Sequence, residues 1–180
     1  MSANESTMPR LDGTCLRPID DEDAELIVAW RNNPLVRTNF IFQEPFTVPM
    51  HQQWMQTQVR TGKVAQFIIE ESRFGGPVGS TFIRDIEVSH RKGEFGIFIG
   101  EDRARGLGVG TRATRLILDH AFSALELNKV FLRVLEDNEA AIRSYEKVGF
   151  VREAYLREDV RIDGQYRDVI LMAILRRDWA

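Results

Sequence analysis

Apolar and polar positions alternate in several short runs near the middle of the chain. The segments "VAQFIIEE", "GPVGSTFIRDIEV" and "KGEFGIFIG" follow one another, and short connections rich in glycine or polar residues separate them. Such connections are typical of hairpins. The three segments are therefore predicted to form an antiparallel meander, and "TCLRPI" ahead of them is predicted to be a further strand.

Two helices are predicted between that first strand and the meander. The first begins after Asp20, which can cap the acidic first turn of "DEDAELIVAW". It is expected to end before Pro34, because the residue ahead of a proline is pushed out of helical geometry. The second begins near "TVPMHQQWM", with a proline in its first turn, and ends at Gly62.

A longer helix, a strand and another helix are predicted after the meander. From Thr111 apolar residues recur at spacings of three and four, the pattern of an amphipathic helix. "KVFLRVL" is typical of a buried strand. "NEAAIRSYEKVG" indicates a helix with Asn138 at its cap and Gly149 at its end.

The order of these elements predicts the fold class. Asp163-Gly164 between two strand-like runs predicts a C-terminal hairpin. The result is an α+β fold with a mixed, largely antiparallel central sheet flanked by helices. The strands on either side of the long helix form a β-α-β unit and should be parallel. Residues 1–11 are predicted to be a disordered tail and residues 12–180 a single domain.

Composition narrows the class of protein. The 180 residues carry a net charge of −3, which argues against nucleic-acid binding. The chain shows neither a signal peptide nor an apolar run long enough for a membrane span. Cys15 is the only cysteine, which excludes disulfide frameworks and fits a cytoplasmic location. His51, His90 and His120 lack the spacing of metal ligands, so we expect no metal.

Glycine occupies every second position at Gly106, Gly108 and Gly110, directly before the long helix. Backbone amides without neighbouring side chains can approach an anion closely, and the helix N-terminus adds positive charge. The segment from Gly106 to Thr111 is therefore predicted to bind a pyrophosphate. A flexible turn with a glycine cap is the alternative that three glycines alone leave open.

Two other phosphate-binding motifs fit this segment poorly. "GVGTRA" satisfies the dinucleotide fingerprint G-x-G-x-x-A, and the acidic Glu136 follows a strand. However, polar residues separate the glycines from the preceding strand, and the flanking strands form hairpins in place of the repeated parallel β-α-β units that this fingerprint requires. A Walker loop requires a lysine directly after its last glycine, whereas Thr111 and Arg112 follow Gly110 here. A nicotinamide-dependent oxidoreductase is therefore disfavoured.

The glycine segment resembles the pyrophosphate motif [QR]-x-x-G-x-[GA] of the GNAT superfamily of acyl-CoA-dependent N-acyltransferases. It appears in two overlapping registers, Arg103–Gly108 and Arg105–Gly110, and the second fits better because Thr111 then begins the helix. "DNEAAIRSYEKVGF" is similar to the family's asparagine-tyrosine-glycine-phenylalanine helix. The resemblance runs from Leu16 to Trp179. It implies the GNAT fold, an N-acetyltransferase, and acetyl-CoA as co-substrate.

The resemblance also implies roles for individual residues. Tyr145 is the expected general acid for the departing thiolate, with a structural helix tyrosine as the alternative. Glu94 is expected beside the acetyl group, where it either orients or deprotonates the amine, and a solvated glutamate is equally open. Asn138 is expected at the cofactor arm, although its cap role suffices to explain it. The expected cofactor-binding residues are Phe95, Ile97, Arg105, Gly106, Leu107, Gly108, Val109, Gly110, Thr111, Asn138 and Tyr145.

The acceptor is predicted from further resemblances. "HRKGEFGIFI" and "DGQYRDVILMAI" are similar to bacterial spermidine/spermine acetyltransferases, whereas "WRNNPLVR" is similar to amino-sugar and ribosomal-protein N-acetyltransferases. A small cationic amine such as spermidine is expected, bound by Glu44 and Glu94. The alternatives are a protein N-terminus, an amino-sugar nucleotide, or a non-catalytic acyl-CoA sensor. A homo-oligomer is expected.

Overall fold

The computed structural model describes residues 10–179. Within them a single eight-stranded sheet runs through the molecule. Its strands are β1 Arg10–Leu11, β2 Thr14–Pro18, β3 Ala65–Glu71, β4 Gly76–Glu87, β5 Lys92–Ile99, β6 Lys129–Leu135, β7 Val151–Ile162 and β8 Gln165–Leu175. The order is β1-β2-β3-β4-β5-β6-β8-β7. Every neighbouring pair is antiparallel except β5 and β6, which are parallel as predicted. The predicted α+β class is confirmed.

Five α-helices accompany the described strands. They are α1 Ala24–Asn32, α2 Pro34–Arg37, α3 Val48–Trp54, α4 Val109–Ser123 and α5 Glu139–Val148. The predicted caps are present, since Asp20 accepts from the amide of Glu22 and Asn138 accepts from the amide of Ala141. Helix α2 was not predicted, because four residues are too short to show a helical period.

Three predicted boundaries differ from the structure. Helix α4 begins at Val109 and not at Thr111, because Gly108 takes the left-handed conformation (φ 76°) and serves as the N-cap. Helix α3 continues into a π-helical turn, Met55–Val59, and ends ahead of Gly62. Arg10 and Leu11 pair with β2, so they are not part of a disordered tail. The rest of the predicted tail, residues 1–9, lies outside the described residues.

The two faces of the sheet are covered by different helices. Helices α4 and α5 pack on one face, where Ile117 and Ile142 join a large apolar core with Val130 of β6. Helices α1 and α3 cover part of the other face, where Trp30 packs with Phe98 of β5. The ends of β5 and β6 therefore lie between two layers of helices.

Candidate active site

Strands β5 and β6 separate in the middle of the sheet. They are paired only over Lys92–Glu94 and Lys129–Phe131. Beyond that point β5 stays with β4 as far as Ile99, and β6 stays with β8 as far as Leu135. The two strands therefore enclose a V-shaped opening, and one edge of β5 lacks a strand partner there.

The backbone of β5 presents hydrogen-bonding groups to this opening. The carbonyl of Ile99 accepts from Nε and Nη2 of Arg105, at 3.2 and 3.0 Å, which shows that it points away from β4. Backbone groups of every second residue in a strand face the same edge. Phe95 and Ile97, both predicted to bind the cofactor, therefore offer their backbone groups to the opening.

The glycine segment supplies a row of free amides at the same end of the sheet. None of the backbone N–H groups from Gly106 to Thr111 donates a hydrogen bond to another described residue. Gly106 and Gly108 have positive φ, 71° and 76°, which turns the chain into the start of α4. Free amides at a helix N-terminus form an anion site. The structure thus brings together the residues predicted to bind pyrophosphate.

Side chains around this loop hold its shape. Arg105, besides binding the Ile99 carbonyl, pairs with Asp102 at 3.2 Å. The hydroxyl of Thr111 lies 3.0 Å from that of Ser144, which ties α4 to α5. The side chains of Arg105 and Thr111 are therefore engaged with protein, and the backbone amides are left for a ligand.

Arg112 anchors the loop from the opposite side, and sequence reasoning missed this role. Its Nη1 donates to the carbonyl of Leu107 at 3.1 Å, its Nε to Thr14 Oγ1 at 2.8 Å, and its Nη2 to Glu71 Oε2 at 3.0 Å. Burial raises the pKa of Glu71, but hydrogen bonds from Thr14, Arg112 and the backbone of Arg73 outweigh it and lower the pKa below its usual value. Glu71 is therefore ionised and fixes Arg112.

Tyr145 lies at the opening on the α5 side. Its ring meets that of Phe95 at 5.8 Å in an edge-to-face arrangement and packs on Phe150. Its hydroxyl forms no hydrogen bond with another described residue. Burial raises the pKa of Tyr145 to about 12, so the phenol is protonated at neutral pH. A free, protonated hydroxyl beside β5 suits the predicted role as a proton donor. Asn138 uses its side-chain oxygen as the α5 cap, at 3.3 Å from the Ala141 amide.

Glu94 stands at the fork of the opening, but its carboxylate is not free. Nε and Nη2 of Arg84 donate to Oε2 at 3.0 and 2.9 Å, and Nε of Arg133 donates to Oε1 at 3.0 Å. The Glu94 side chain is only 6% exposed. Both oxygens are thus paired with guanidinium groups, which disfavours the predicted roles of base and cation-binding group. The two arginines come from separate strands, and no sequence motif joins them.

Glu44, the other residue predicted to bind the acceptor, forms no hydrogen bond or ion pair with this cluster. It is exposed and forms no hydrogen bond or ion pair with a described residue. It belongs to segment 38–46, which links α2 and α3. Asn32 anchors the end of this segment through both backbone groups of Phe46, at 2.7 and 2.9 Å. The structure does not join Glu44 to Glu94.

Among residues 10–179 there is neither a cluster of metal-binding side chains nor a helix suited to cross a membrane. No group of three or more histidine, cysteine or acidic side chains there is arranged to hold a metal ion. No described helix has the length and apolar character needed to cross a membrane.

A row of free amides next to an unpaired strand edge suits a ligand with a pyrophosphate and a long amide-containing arm, as in coenzyme A. The fold and the site define an acyl-CoA-dependent N-acyltransferase. Residues 14–151 match the family described as acetyltransferase (GNAT) domain, and the chain belongs to this family of acetyltransferases. The predicted family and enzyme class are confirmed.

Curated relatives and solved structures extend this assignment. The spermidine N(1)-acetyltransferase of Escherichia coli K12 is 32% identical over 173 residues, which cover 96% of this chain and 91% of the relative. The putative ribosomal N-acetyltransferase YdaF of Bacillus subtilis is 30% identical over 105 residues, covering 58% of this chain and 57% of YdaF. The crystal structure of spermidine N-acetyltransferase from Vibrio cholerae with CoA and spermine matches with a TM-score of 0.85 at 28% identity, covering 92% of this chain and 97% of that chain.

Replacement of Arg112 tests the anchoring of the loop. Arg112→Met leaves the buried Glu71 carboxylate without its cation, which typically costs about 3–5 kcal/mol. We expect the free energy of unfolding at pH 7 to fall by about 3 kcal/mol. Because the native pKa of Glu71 is lowered, the pairing stabilises the fold above the unfolded pKa near 4.5 and is lost as pH falls further.

Urea unfolding at several pH values measures this difference. Arg115→Met is the control, since Arg115 is exposed on the same helix. A difference between wild type and Arg112→Met that stays constant down to pH 3 would contradict the role of the Glu71 pair.

Proposed function

We propose that this enzyme transfers the acetyl group of acetyl-CoA to a primary amine of a polyamine such as spermidine or spermine. The observation that carries the acetyl-CoA part is the row of free amides from Gly106 to Thr111 beside the unpaired edge of β5. The acceptor part is supported by the relatives, since the Escherichia coli protein is named as a spermidine N(1)-acetyltransferase. The Vibrio cholerae structure contains CoA and spermine.

In this proposal the pyrophosphate of acetyl-CoA binds the amides of Gly106–Thr111. The pantetheine arm lies in the opening, where the backbone groups of Phe95 and Ile97 replace the missing strand partner. This arrangement directs the thioester toward Phe95, whose ring contacts Tyr145. The reacting sulfur would thus lie beside β5, the same strand that Tyr145 contacts through Phe95.

The chemistry requires few protein groups. The neutral amine attacks the thioester carbonyl, the C–N bond forms, and the C–S bond breaks with the electron pair on sulfur. Tyr145 donates its proton to that sulfur, and the proton lost by the amine passes to water. Because Glu94 is held by Arg84 and Arg133, we propose that it positions strands at the fork and does not act as the base.

The polyamine enters from the sheet face that carries Glu94, and Glu44 is the exposed carboxylate of segment 38–46 available to attract it. An amino-sugar nucleotide is the second candidate acceptor, because the positively charged groups around Glu94 on this face suit its phosphates. We further propose a homo-oligomer, since a dodecameric structure of the Vibrio cholerae relative is known.

Gly110→Val tests the pyrophosphate site. A Cβ at Gly110 would meet no atom closer than Ile99 Cγ1 at 4.0 Å, and its φ is not in the left-handed region, so the variant should fold. Its side chain would occupy space that the phosphates need. We expect the KM for acetyl-CoA to rise about tenfold or more, equivalent to about 1.4 kcal/mol. Arg115→Val, on the exposed side of the same helix, is the control, and an unchanged KM in folded Gly110→Val would argue against this site.

Tyr145→Phe tests the proton donor. A lost general acid typically slows the reaction about 10²- to 10⁴-fold, and we expect this loss in kcat with little change in the KM for acetyl-CoA. Because the pKa of Tyr145 is raised to about 12, ionisation of the phenol should not reduce wild-type activity up to about pH 10. Thiol release from acetyl-CoA measures both quantities. Turnover of Tyr145→Phe at the wild-type rate would show that the tyrosine is structural.

A panel of amines tests whether a polyamine is the acceptor. We expect spermidine and spermine to release thiol from acetyl-CoA with a KM that rises with salt, because exposed charges are screened beyond about 8–10 Å at physiological ionic strength. Glu44→Gln should raise this KM several-fold, whereas Glu25→Gln, an exposed position of α1, should not. Turnover of a 4-amino-sugar nucleotide or a Ser-initiated peptide with inert polyamines would contradict the acceptor and leave acetyl transfer intact.

A further inference from the structure

Arg31 carries a charge that no described group neutralises. Its guanidinium lies between the rings of Phe40 and Phe46, at 4.6 and 4.4 Å from their centroids. Its Nε is buried without a hydrogen-bond partner, and no described carboxylate lies within 4.0 Å of its nitrogens. Burial, and then the charge of Arg84, lower the pKa of Arg31 to about 10, so the group is still charged at neutral pH. Arg31 as a residue is partly buried, and a donor such as its Nε, shielded from water without an acceptor, is unfavourable unless a ligand supplies one.

The position of Arg31 places it on the acceptor side of the sheet. Phe40, one of its two flanking rings, meets Phe98 of β5 edge-on at 5.7 Å. Phe98 and Glu94 lie an even number of residues apart on one strand, so their side chains share a face. Arg31 therefore covers the same face as the cluster of Glu94, Arg84 and Arg133, opposite to α4 and α5.

Positive and negative side chains occupy different parts of this face. The Glu94 carboxylate binds two guanidinium groups, those of Arg84 and Arg133, and the charge of Arg84 contributes to the lowered pKa of Arg31. Further carboxylates, Asp85 and Asp159, are exposed at the margin of the cluster. Around Glu94 two guanidinium groups therefore meet one carboxylate, and Arg31 adds a further positive charge without a described counter-ion.

We infer that Arg31 binds an anionic group of the acceptor, a carboxylate or a phosphate on a molecule that also carries the primary amine. The inference rests on the proposed acetyl transfer and extends its range of acceptors. The two rings flank the guanidinium group, and its planar set of N–H donors can bind a carboxylate or a phosphate through two hydrogen bonds. A polyamine has no such group, so its acetylation should not depend on Arg31.

A purely structural Arg31 would have a different signature. In that case Arg31 only helps to stabilise segment 38–46 through its cation–π contacts with Phe40 and Phe46. Loss of these contacts would then impair the acetylation of every acceptor alike. An anion-binding Arg31 changes the preference between acceptors. The test therefore compares amines that differ only in the anionic group.

Two matched pairs of acceptors serve this comparison, with spermidine as the reference. 1-Aminobutane against 4-aminobutyrate probes a carboxylate, and glucosamine against glucosamine 6-phosphate probes a phosphate. In Arg31→Gln we expect kcat/KM for the preferred anionic acceptor to fall about 10- to 100-fold, as for loss of a charge-assisted hydrogen bond, with spermidine changed less than about twofold. Arg31→Lys should recover part of the loss. Arg37→Gln, an exposed arginine nearby, is the control.

A binding measurement keeps the test independent of turnover. With the enzyme saturated by CoA, which occupies the glycine loop, pyrophosphate should raise the melting temperature of wild type and Arg37→Gln but not of Arg31→Gln. Equal losses for spermidine and anionic acceptors, or an equal pyrophosphate effect in wild type and Arg31→Gln, would overturn the inference. Arg31-dependent binding of pyrophosphate without thiol release from any amine would refute the proposed acetyl transfer and leave the anion site standing.

Discussion

The separation of β5 and β6 after Glu94 is the feature on which the rest of the site depends. Beyond Glu94 each strand is paired on one edge only, β5 with β4 as far as Ile99 and β6 with β8 as far as Leu135. The backbone groups of β5 left at the edge must be satisfied by water or by a ligand. An opening that would weaken an ordinary sheet thus becomes the place where an extended molecule can bind as a strand would.

The fork is stabilised by charge. Glu94 accepts hydrogen bonds from Arg84 of β4 and Arg133 of β6, so one carboxylate connects three strands at the point where two of them diverge. Removing a partner from such a buried group is costly. On the opposite side, Arg112 connects the glycine loop to Thr14 and Glu71 in the same manner. Both clusters use arginine, whose planar group can bind several oxygens at once.

Sequence patterns predicted the elements better than the site. Alternation and helical periodicity predicted the meander, the β-α-β unit and the helix capped by Asn138, since these depend on residues close together in the chain. Gly108 shifted the start of α4 because a left-handed cap is decided by local backbone sterics that an apolar period does not reveal. The clusters around Glu94 and Arg112 were missed because their members come from distant strands, 39 residues apart for Glu94 and Arg133. Glu94 was recognised, but its partners decide its chemistry.

These partners change the mechanism that the residues support. With the phenol of Tyr145 protonated, our proposal assigns it as the proton donor for sulfur, and the twofold pairing of Glu94 leaves that carboxylate unavailable to the amine. Positive charge on the acceptor face also disfavours an ammonium ion there, because like charges favour the neutral form of an amine. In the proposed mechanism, an amine that reaches the fork would therefore lose its proton to water more readily because of the surrounding arginines. In that mechanism the arginine cluster lowers the pKa of the amine, so the reaction does not require Glu94 as a general base.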